Sequence, residues 1–333
     1  MSGTSRAHAG IGVVLVNTGT PDAPESGAVR RYLRRFLSDR RVIGAPRLVW
    51  LPLLNGLILP LRAPRSAAKY RSVWLDEGGP LKVHTERLGA ALARELGAAT
   101  GSCRVEVAYL YSDPAVVRAF DALADAGVRH VLVLPLFPQM SSTTTGAVYD
   151  QVFAALARRR ALPALRLVAE YHLHAGYIDA LAQSVRDHWR LHGRGTHLLL
   201  SFHGIPLSYV RAGDVYGEHC QATAAAVAAA LGLRDDEWSL SFQSRFGPAK
   251  WLGPATADVL AQLPGRGVRS LDVACPGFAV DCLETLEEIA IEGREAFRRA
   301  GGERYAYIAA LNSRAAHARA LAAVVLDAAR DWA

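Results

Sequence analysis

The stretch GVRHVLVLPLF (residues 127–137) has a counterpart in GVRSLDVACPGF (residues 267–278). Each opens with Gly-Val-Arg, continues as an apolar run and reaches a proline and a phenylalanine before a helical pattern begins. Repetition of this order indicates duplicated structural units, and a chain of 333 residues is long enough for two compact lobes. We therefore predict two similar lobes with a boundary within residues 170–175.

Apolar runs typical of buried strands alternate with helical patterns along the chain. This alternation predicts an α/β fold with two Rossmann-like lobes, each a parallel sheet flanked by helices. The first lobe is expected to span residues 1–172 and the second 173–312, while a C-terminal helix at 313–333 packs back on the first. The strand-like runs are 11–16, 105–109, 128–134, 165–168, 197–201, 239–242 and 268–273. The helical patterns include 85–96, 146–159, 177–191, 223–231, 282–299 and 315–330.

The net charge of +7 comes almost entirely from arginine, since lysine occurs only at Lys69, Lys82 and Lys250. The sequence has no basic helix, no basic strand with interleaved aromatic residues and no zinc-finger spacing, so we expect no nucleic-acid partner. A basic surface still favours anionic lipid headgroups or a substrate that carries carboxylates. Hydrophobic residues make up 51% of the chain, which predicts a folded body with only residues 1–10 loosely ordered.

Four cysteines are spread through the chain without a Cys-x-x-Cys pair, which argues against a zinc ribbon or disulfide framework and favours a reducing cytoplasm. We recognise no secretion signal. The longest apolar stretch, residues 46–61, is interrupted by prolines and too short to span a bilayer. We expect part of it to form an exposed lip in peripheral contact with a membrane. The lip residues are Leu53, Leu54, Leu57, Ile58 and Leu59, followed by Arg62 and Arg65.

His203 follows an apolar strand in the segment SFHGIP (residues 201–206). Ligands of doubly wound folds collect at the carboxyl ends of strands, where Gly204 and Pro206 turn the chain and leave the imidazole in a cleft. Such a histidine accepts a proton near neutral pH or binds iron; alternatively, it only satisfies a backbone carbonyl. Nucleotide-binding and hydrolase functions lack support, because no Gly-x-Gly-x-x-Gly, Walker motif, nucleophile elbow or His-Glu-x-x-His occurs.

Asp281, Glu284, Glu288 and Glu292 recur at a spacing that places four carboxylates along one face of a predicted helix. The helix starts after the strand-like run 268–273, so its first turn is expected to face the same cleft. Such a row can pass a hard divalent cation inward or protons outward. A solvated outer face is the plainer interpretation of the same pattern.

Together the two turns resemble those of the ferrochelatase family, and the similarity extends from Val13 to about Ala315. The matching segments are 17–22, 70–74, 78–81, 138–146, the His203 turn, 242–248, 251–254 and 276–288. The resemblance implies a class II chelatase-like fold with a porphyrin cleft between the lobes. It also implies a lyase that inserts Fe²⁺ into protoporphyrin IX to give protohaem, the last step of haem biosynthesis.

The resemblance also assigns roles to individual residues. His203 and Glu284 match the central catalytic pair, on opposite sides of a distorted macrocycle. Iron is then contacted by His203, Glu284 and Glu288, and an acidic conduit comprises Asp281, Glu288 and Glu292. The expected porphyrin-binding residues are Thr18, Tyr111, Gln243, Ser244, Arg245, Trp251 and Phe278. For the aromatic residues among them, core packing is the alternative.

Some positions depart from the family pattern. Leu110 stands where many relatives have arginine, so a propionate contact or an active-site hydrogen bond is missing or comes from another residue. Cys282 stands where animal relatives often have histidine. Thr18 is not the tyrosine of relatives that act on coproporphyrin, which favours protoporphyrin. No cysteine follows Cys282, so we expect no [2Fe–2S] cluster and no permanently bound cofactor, with Fe²⁺ as a substrate.

The sequence leaves two assignments of the catalytic roles open. In one, His203 accepts the pyrrole protons and Glu284 guides the iron; in the other, the two roles are exchanged. Two other functions fit part of the pattern. A chelatase for a cobalt or sirohaem precursor usually has a second metal-binding histidine and a more polar cleft, and a noncatalytic tetrapyrrole carrier does not need the carboxylate row.

Overall fold

The computed structural model describes residues 10–247 and 249–332. Residues 1–9 of the segment expected to be loose, and Pro248 of the segment 242–248, lie outside the described residues. The first lobe contains a parallel sheet with strand order β2-β1-β3-β4. Its strands are β1 (Ile11–Asn17), β2 (Cys103–Tyr109), β3 (His130–Pro135) and β4 (Ala164–Leu167). The helices are α1 (Ser26–Leu37), α2 (Arg47–Leu53), α3 (Leu59–Val73), α4 (Pro80–Thr100), α5 (Val116–Asp125) and α6 (Thr145–Leu156).

The second lobe repeats this arrangement in a parallel sheet of order β6-β5-β7-β8. Its strands are β5 (His197–His203), β6 (Trp238–Gln243), β7 (Ser270–Ala274) and β8 (Arg304–Ile308). The α-helices are α7 (Ala175–His192), α8 (Leu207–Arg211), α9 (Tyr216–Leu231), α10 (Thr256–Gln262), α11 (Arg294–Arg299) and α12 (Ala315–Ala328). Two π-helices, Leu54–Ile58 and Glu284–Gly293, and two 3₁₀ turns, Pro264–Arg266 and Arg330–Trp332, complete the described chain. The predicted pair of Rossmann-like lobes is confirmed.

The repeated Gly-Val-Arg segments occupy equivalent positions. Gly127 and Gly267 both adopt left-handed backbone angles, with φ of 74° and 89°, which glycine adopts without steric cost. The next residue, Val128 or Val268, donates its N–H to the carbonyl of a residue five positions earlier, as in a helix-ending Schellman turn. Each turn leads into the third strand of its lobe, β3 or β7. The sequence echo therefore marks the same turn in two copies of one unit.

Alternate side chains of the strands enter different cores. Val13 and Leu15 pack beneath α4, α7 and α12, whereas Val14 and Val16 pack beneath α5 and α6. The second sheet is likewise covered on one face by α7 and α9 and on the other by α10 and α11. Both faces of each sheet are therefore buried, which explains why the strands are continuous apolar runs. Helix α12 lies against the first lobe and α7, so α7 contributes to both cores.

The predicted lip is only partly exposed. Leu54 and Leu59 are fully buried among side chains of α1 and α3, so their expected exposure was wrong. The π-helix Leu54–Ile58 explains this, because a turn that closes on the fifth residue brings Leu54 and Leu59 onto one face. Within residues 46–61, the exposed large apolar side chains are Leu48, Val49, Leu53, Leu57 and Leu61. No helix of the described residues is both long and apolar enough to cross a membrane.

Candidate active site

A cavity of about 570 Å³ opens between the lobes and is lined by residues of both. Its volume lies within the range of roughly 300–1,000 Å³ typical of small-molecule sites. Asn17 at the end of β1 and His203 at the end of β5 both line it. The cavity therefore lies at the carboxyl edge of each sheet, where parallel α/β folds bind their ligands.

His203 is the last residue of β5 and lines this cavity. Its Nδ1 lies 2.6 Å from the carbonyl oxygen of Gly204. Because a carbonyl only accepts hydrogen bonds, we assign the proton to Nδ1, which leaves Nε2 with its lone pair in the neutral ring. Gly204 permits the tight turn, since a Cβ there would lie 2.9 Å from the carbonyl oxygen of Gln243. The turn at Gly204 thus fixes the orientation of the His203 imidazole.

Glu284 begins the π-helix Glu284–Gly293, whereas the sequence predicted an α-helix through residues 282–299. Gln243, fully buried at the end of β6, donates through Nε2 to the Glu284 carbonyl oxygen at 2.9 Å. Its Oε1 accepts from Ser201 Oγ at 2.8 Å. The cavity is lined by Glu284 but not by Gln243. Gln243, expected to bind porphyrin, thus lies outside the cavity lining, and its hydrogen bond holds the start of the π-helix.

Glu288 lines the cavity and is held by Ser244. The Ser244 backbone N–H donates to Oε1 at 2.7 Å, and its hydroxyl donates to Oε2 at 2.6 Å. Ser244 adopts a left-handed φ of 65°, which turns both donors toward the carboxylate. Burial raises the pKa of Glu288, while the Ser244 hydrogen bonds and the nearby His203 oppose the rise. Glu288 is thus a desolvated carboxylate with a fixed orientation.

Glu287 also lines the cavity and was not selected from the sequence. Lys69 of α3 reaches it at 2.8 Å and also contacts Glu292 at 2.7 Å. The π-helix accounts for this pairing, because residues five apart lie close together when each turn closes on the fifth residue. Burial raises the pKa of Glu287, although Lys69 lowers it. One lysine therefore offsets about half of the negative charge of Glu287 and Glu292, at the outer end of the carboxylate row.

Substitution of Lys69 tests that neutralisation. We expect Lys69→Met to lower the KM for the divalent metal by roughly threefold to tenfold, because a partly exposed ion pair is worth about 1 kcal/mol, and to leave kcat unchanged. Lys82→Met is the matched control, since Lys82 has similar exposure and pairs at 4.0 Å with Glu86, a residue outside the cavity lining. An unchanged or increased metal KM in Lys69→Met would contradict competition between Lys69 and the metal.

Asp281 lies off the cavity and is buried. Its carboxylate accepts hydrogen bonds from Tyr307 Oη at 2.6 Å, Asn312 Nδ2 at 2.7 Å and Thr285 Oγ1 at 3.0 Å. These donors occupy its oxygens and tie the start of the π-helix to β8, through Tyr307, and to the segment that follows it, through Asn312. The arrangement supports a structural role for Asp281, while Glu284, Glu287, Glu288 and Glu292 face the cavity.

The other expected porphyrin-binding residues lie in the cavity lining. These are Thr18, Tyr111, Ser244, Arg245, Trp251 and Phe278. Tyr111 donates its hydroxyl to Asp39 at 2.8 Å, so its ring is held by a polar anchor. Phe246 packs 5.3 Å from Trp251, and the Arg62 guanidinium lies 5.2 Å above the Phe246 ring. Phe246 was not among the site residues expected from the sequence, and it adds an apolar wall beside a cation.

Comparison with known proteins identifies the family. The family model described as Ferrochelatase matches residues 10–329. The chain belongs to the ferrochelatase family. The ferrochelatase of Aeromonas hydrophila is 49% identical over 314 residues, covering 94% of this chain and 97% of the relative. The ferrochelatase of Klebsiella pneumoniae is 49% identical over 306 residues, covering 92% and 94% of the two chains. Membership places this chain among the metal-chelating lyases of haem and porphyrin biosynthesis.

Solved structures show the same fold at low identity. SirB from Bacillus subtilis, solved with Fe³⁺, has a TM-score of 0.57 at 10% identity and covers 97% of each chain. CbiX, described as the terminal enzyme of sirohaem biosynthesis in denitrifying bacteria, has a TM-score of 0.52 at 16% identity, with 96% and 99% coverage. These similarities support the chelatase-like architecture of two lobes.

Proposed function

We propose that this ferrochelatase inserts Fe²⁺ into protoporphyrin IX and releases two protons, with His203 and Glu284 on opposite sides of the ring. The observation that carries the proposal is the shared cavity, in which an oriented imidazole and four carboxylates face a space walled by aromatic side chains. A flat tetrapyrrole matches the aromatic walls, and a divalent cation matches the carboxylates. We place the enzyme in the cytoplasm, in peripheral contact with the inner face of a membrane.

Metalation replaces two pyrrole N–H protons by bonds from nitrogen to iron. The nitrogen lone pairs lie in the plane of a flat ring, so bending the ring exposes them on one face, and binding of the ring periphery can supply a few kcal/mol of that strain. His203 suits the role of proton acceptor, because Nδ1 is engaged by the Gly204 carbonyl oxygen and the neutral ring then offers the lone pair of Nε2. Glu284 and Glu288 then deliver iron on the other face.

The carboxylates of the porphyrin periphery need cationic partners, and Leu110 cannot provide one. Leu110 lines the cavity as an apolar side chain. Arg62, Arg65 and Arg245 line it as well, and burial lowers the pKa of Arg62. We assign the propionate contacts to these arginines, which would supply the cation that many relatives carry at position 110.

The substrate is tested by metalation of three tetrapyrroles with Fe²⁺ under anaerobic conditions. Protoporphyrin IX is expected to be metalated at the highest kcat/KM, because the cavity wall is largely apolar. Faster metalation of coproporphyrin would correct the substrate, and faster metalation of sirohydrochlorin would favour the sirohaem alternative. Binding of protoporphyrin without metalation would support a carrier.

We also propose that the exposed side chains Leu48, Val49, Leu53, Leu57 and Leu61 form an apolar lip that contacts a membrane. Leu57 is 53% exposed and Leu61 58% exposed, and Arg62 and Arg65 follow beside the cavity. Apolar side chains next to cations are suited to an anionic bilayer surface. The lip would then place the cavity entrance next to an apolar porphyrin dissolved in lipid.

The lip is tested with liposomes of anionic lipid. Leu57→Ser combined with Leu61→Ser is expected to weaken association about tenfold or more, because burial of a leucine side chain is worth about 1.5–3 kcal/mol. Leu191→Ser is the control, since Leu191 is 72% exposed at the end of α7. Equal association of the double variant and the wild-type chain would show that the lip does not touch lipid.

A further inference from the structure

A second group of metal-ligating side chains lies outside the cavity. Glu170 and His172 belong to the segment that joins β4 to α7, and His219 belongs to α9. One ligand atom from each residue lies within 4.8 Å of the other two. Glu170 Oε2 is 3.0 Å from His219 Nδ1 and 3.8 Å from His172 Nδ1. Since nitrogen and oxygen ligands of a tetrahedral Zn²⁺ lie about 3.3 Å apart, these separations bracket the required value.

The hydrogen bonding of this cluster is incomplete. His172 Nδ1 is buried and has no hydrogen-bond partner among the described residues, and its side chain is only 8% exposed. His219 Nδ1 lies 3.3 Å from the Met140 backbone N–H and also faces the Glu170 carboxylate. A single nitrogen cannot both accept from Met140 and donate to Glu170. If Met140 donates to it, His219 Nδ1 leaves the Glu170 carboxylate without a proton from that ring, and His172 Nδ1 remains unpaired among the described residues.

We propose that Glu170, His172 and His219 bind a divalent transition-metal ion of the Zn²⁺ or Co²⁺ type, separate from the cavity between the lobes. Two imidazoles and one carboxylate form a ligand set that such ions accept, with a remaining position for water. The imidazole rings stack at 3.8 Å and 12°, so both rings must tilt toward the ion for their lone pairs to meet.

The cluster can be reached from solvent, and its residues come from both lobes. A surface groove of about 450 Å³ runs along residues 168–174 and includes Glu170 and His172, and the Glu170 side chain is 41% exposed to solvent. Because Glu170 and His172 follow the last strand of the first lobe and His219 belongs to the second, the ion would link the two lobes.

Zn²⁺ binding tests the site without measuring metalation. The whole chain is titrated with Zn²⁺ against a chromophoric chelator in a His203→Ala background, which removes the cavity imidazole. We expect one ion per chain beyond any that the cavity carboxylates hold, with its affinity at least tenfold weaker in His172→Ala and in His219→Gln but unchanged in His192→Ala, a histidine at the end of α7 outside the cluster. Melting without metal shows whether each variant folds.

A crystal soaked in Zn²⁺ gives a second, independent measurement. An anomalous peak between Glu170, His172 and His219 is expected. Absence of that peak, or equal Zn²⁺ affinity in the cluster variants and the background protein, would overturn the proposal. Either result leaves the proposed porphyrin metalation untouched, because Glu170, His172 and His219 lie outside the cavity lining.

Discussion

His203→Ala is expected to lower kcat for metalation by about a hundredfold to ten-thousandfold, the range typical for loss of a positioned proton acceptor. Porphyrin affinity and the melting temperature should change little, because His203 ends β5 in a turn and only its own neighbour Gly204 holds its Nδ1. Stopped-flow absorption resolves metalation, and porphyrin fluorescence quenching measures binding. His84→Ala is the control, since His84 is partly buried on α4 and lies outside the cavity lining. Near-normal metalation by a variant that binds porphyrin would remove His203 from the mechanism.

Glu284→Gln is expected to lower kcat, whereas Glu292→Gln is expected to raise the KM for Fe²⁺. Glu284 is the first residue of the π-helix, whereas Glu292 lies near its outer end beside Lys69. Loss of the Glu284 charge should lower kcat about a hundredfold or more, since that charge acts beside the reacting nitrogens. Loss of the Glu292 charge should raise the KM for Fe²⁺ severalfold at unchanged kcat, because only metal capture is weakened.

Steady-state kinetics at varied Fe²⁺ and saturating porphyrin separate the two effects. Glu288→Gln should fall between them, because glutamine keeps one acceptor for Ser244 and loses the charge. Glu295→Gln is the matched control, since Glu295 is exposed on α11 beyond the cavity. Wild-type parameters in all three cavity variants would show that the carboxylates form a solvated face with no part in iron delivery.

The sheets were predictable because strands buried on both faces are continuous apolar runs. The exception is β8, which was missed, because it lies at the edge of its sheet and begins with the partly exposed Arg304. The position of His203 was also predictable, since an apolar strand followed by Gly204 and Pro206 has to turn at the carboxyl edge. In both cases a local pattern determines the structure.

The details of the carboxylate row were not predictable, because they depend on the π-helix and on distant residues. In an α-helix Glu287 lies about 100° from Glu288 and off the row. Lys69 joins the row from a position 218 residues before Glu287, and no sequence spacing reports that contact. The hydrogen bonds that occupy Asp281 come largely from Tyr307 and Asn312, beyond the helix. The same π geometry at residues 54–58 buried two leucines that the sequence pattern assigned to the lip.

A crystal structure of this chain with bound protoporphyrin would show whether the ring lies in the cavity between His203 and Glu284. We expect a bent macrocycle with His203 Nε2 facing the pyrrole nitrogens from one side and the Glu284 carboxylate facing them from the other. The propionates should reach the arginines of the cavity. A flat ring bound outside the cavity, or both side chains on the same face of the ring, would contradict the proposed mechanism.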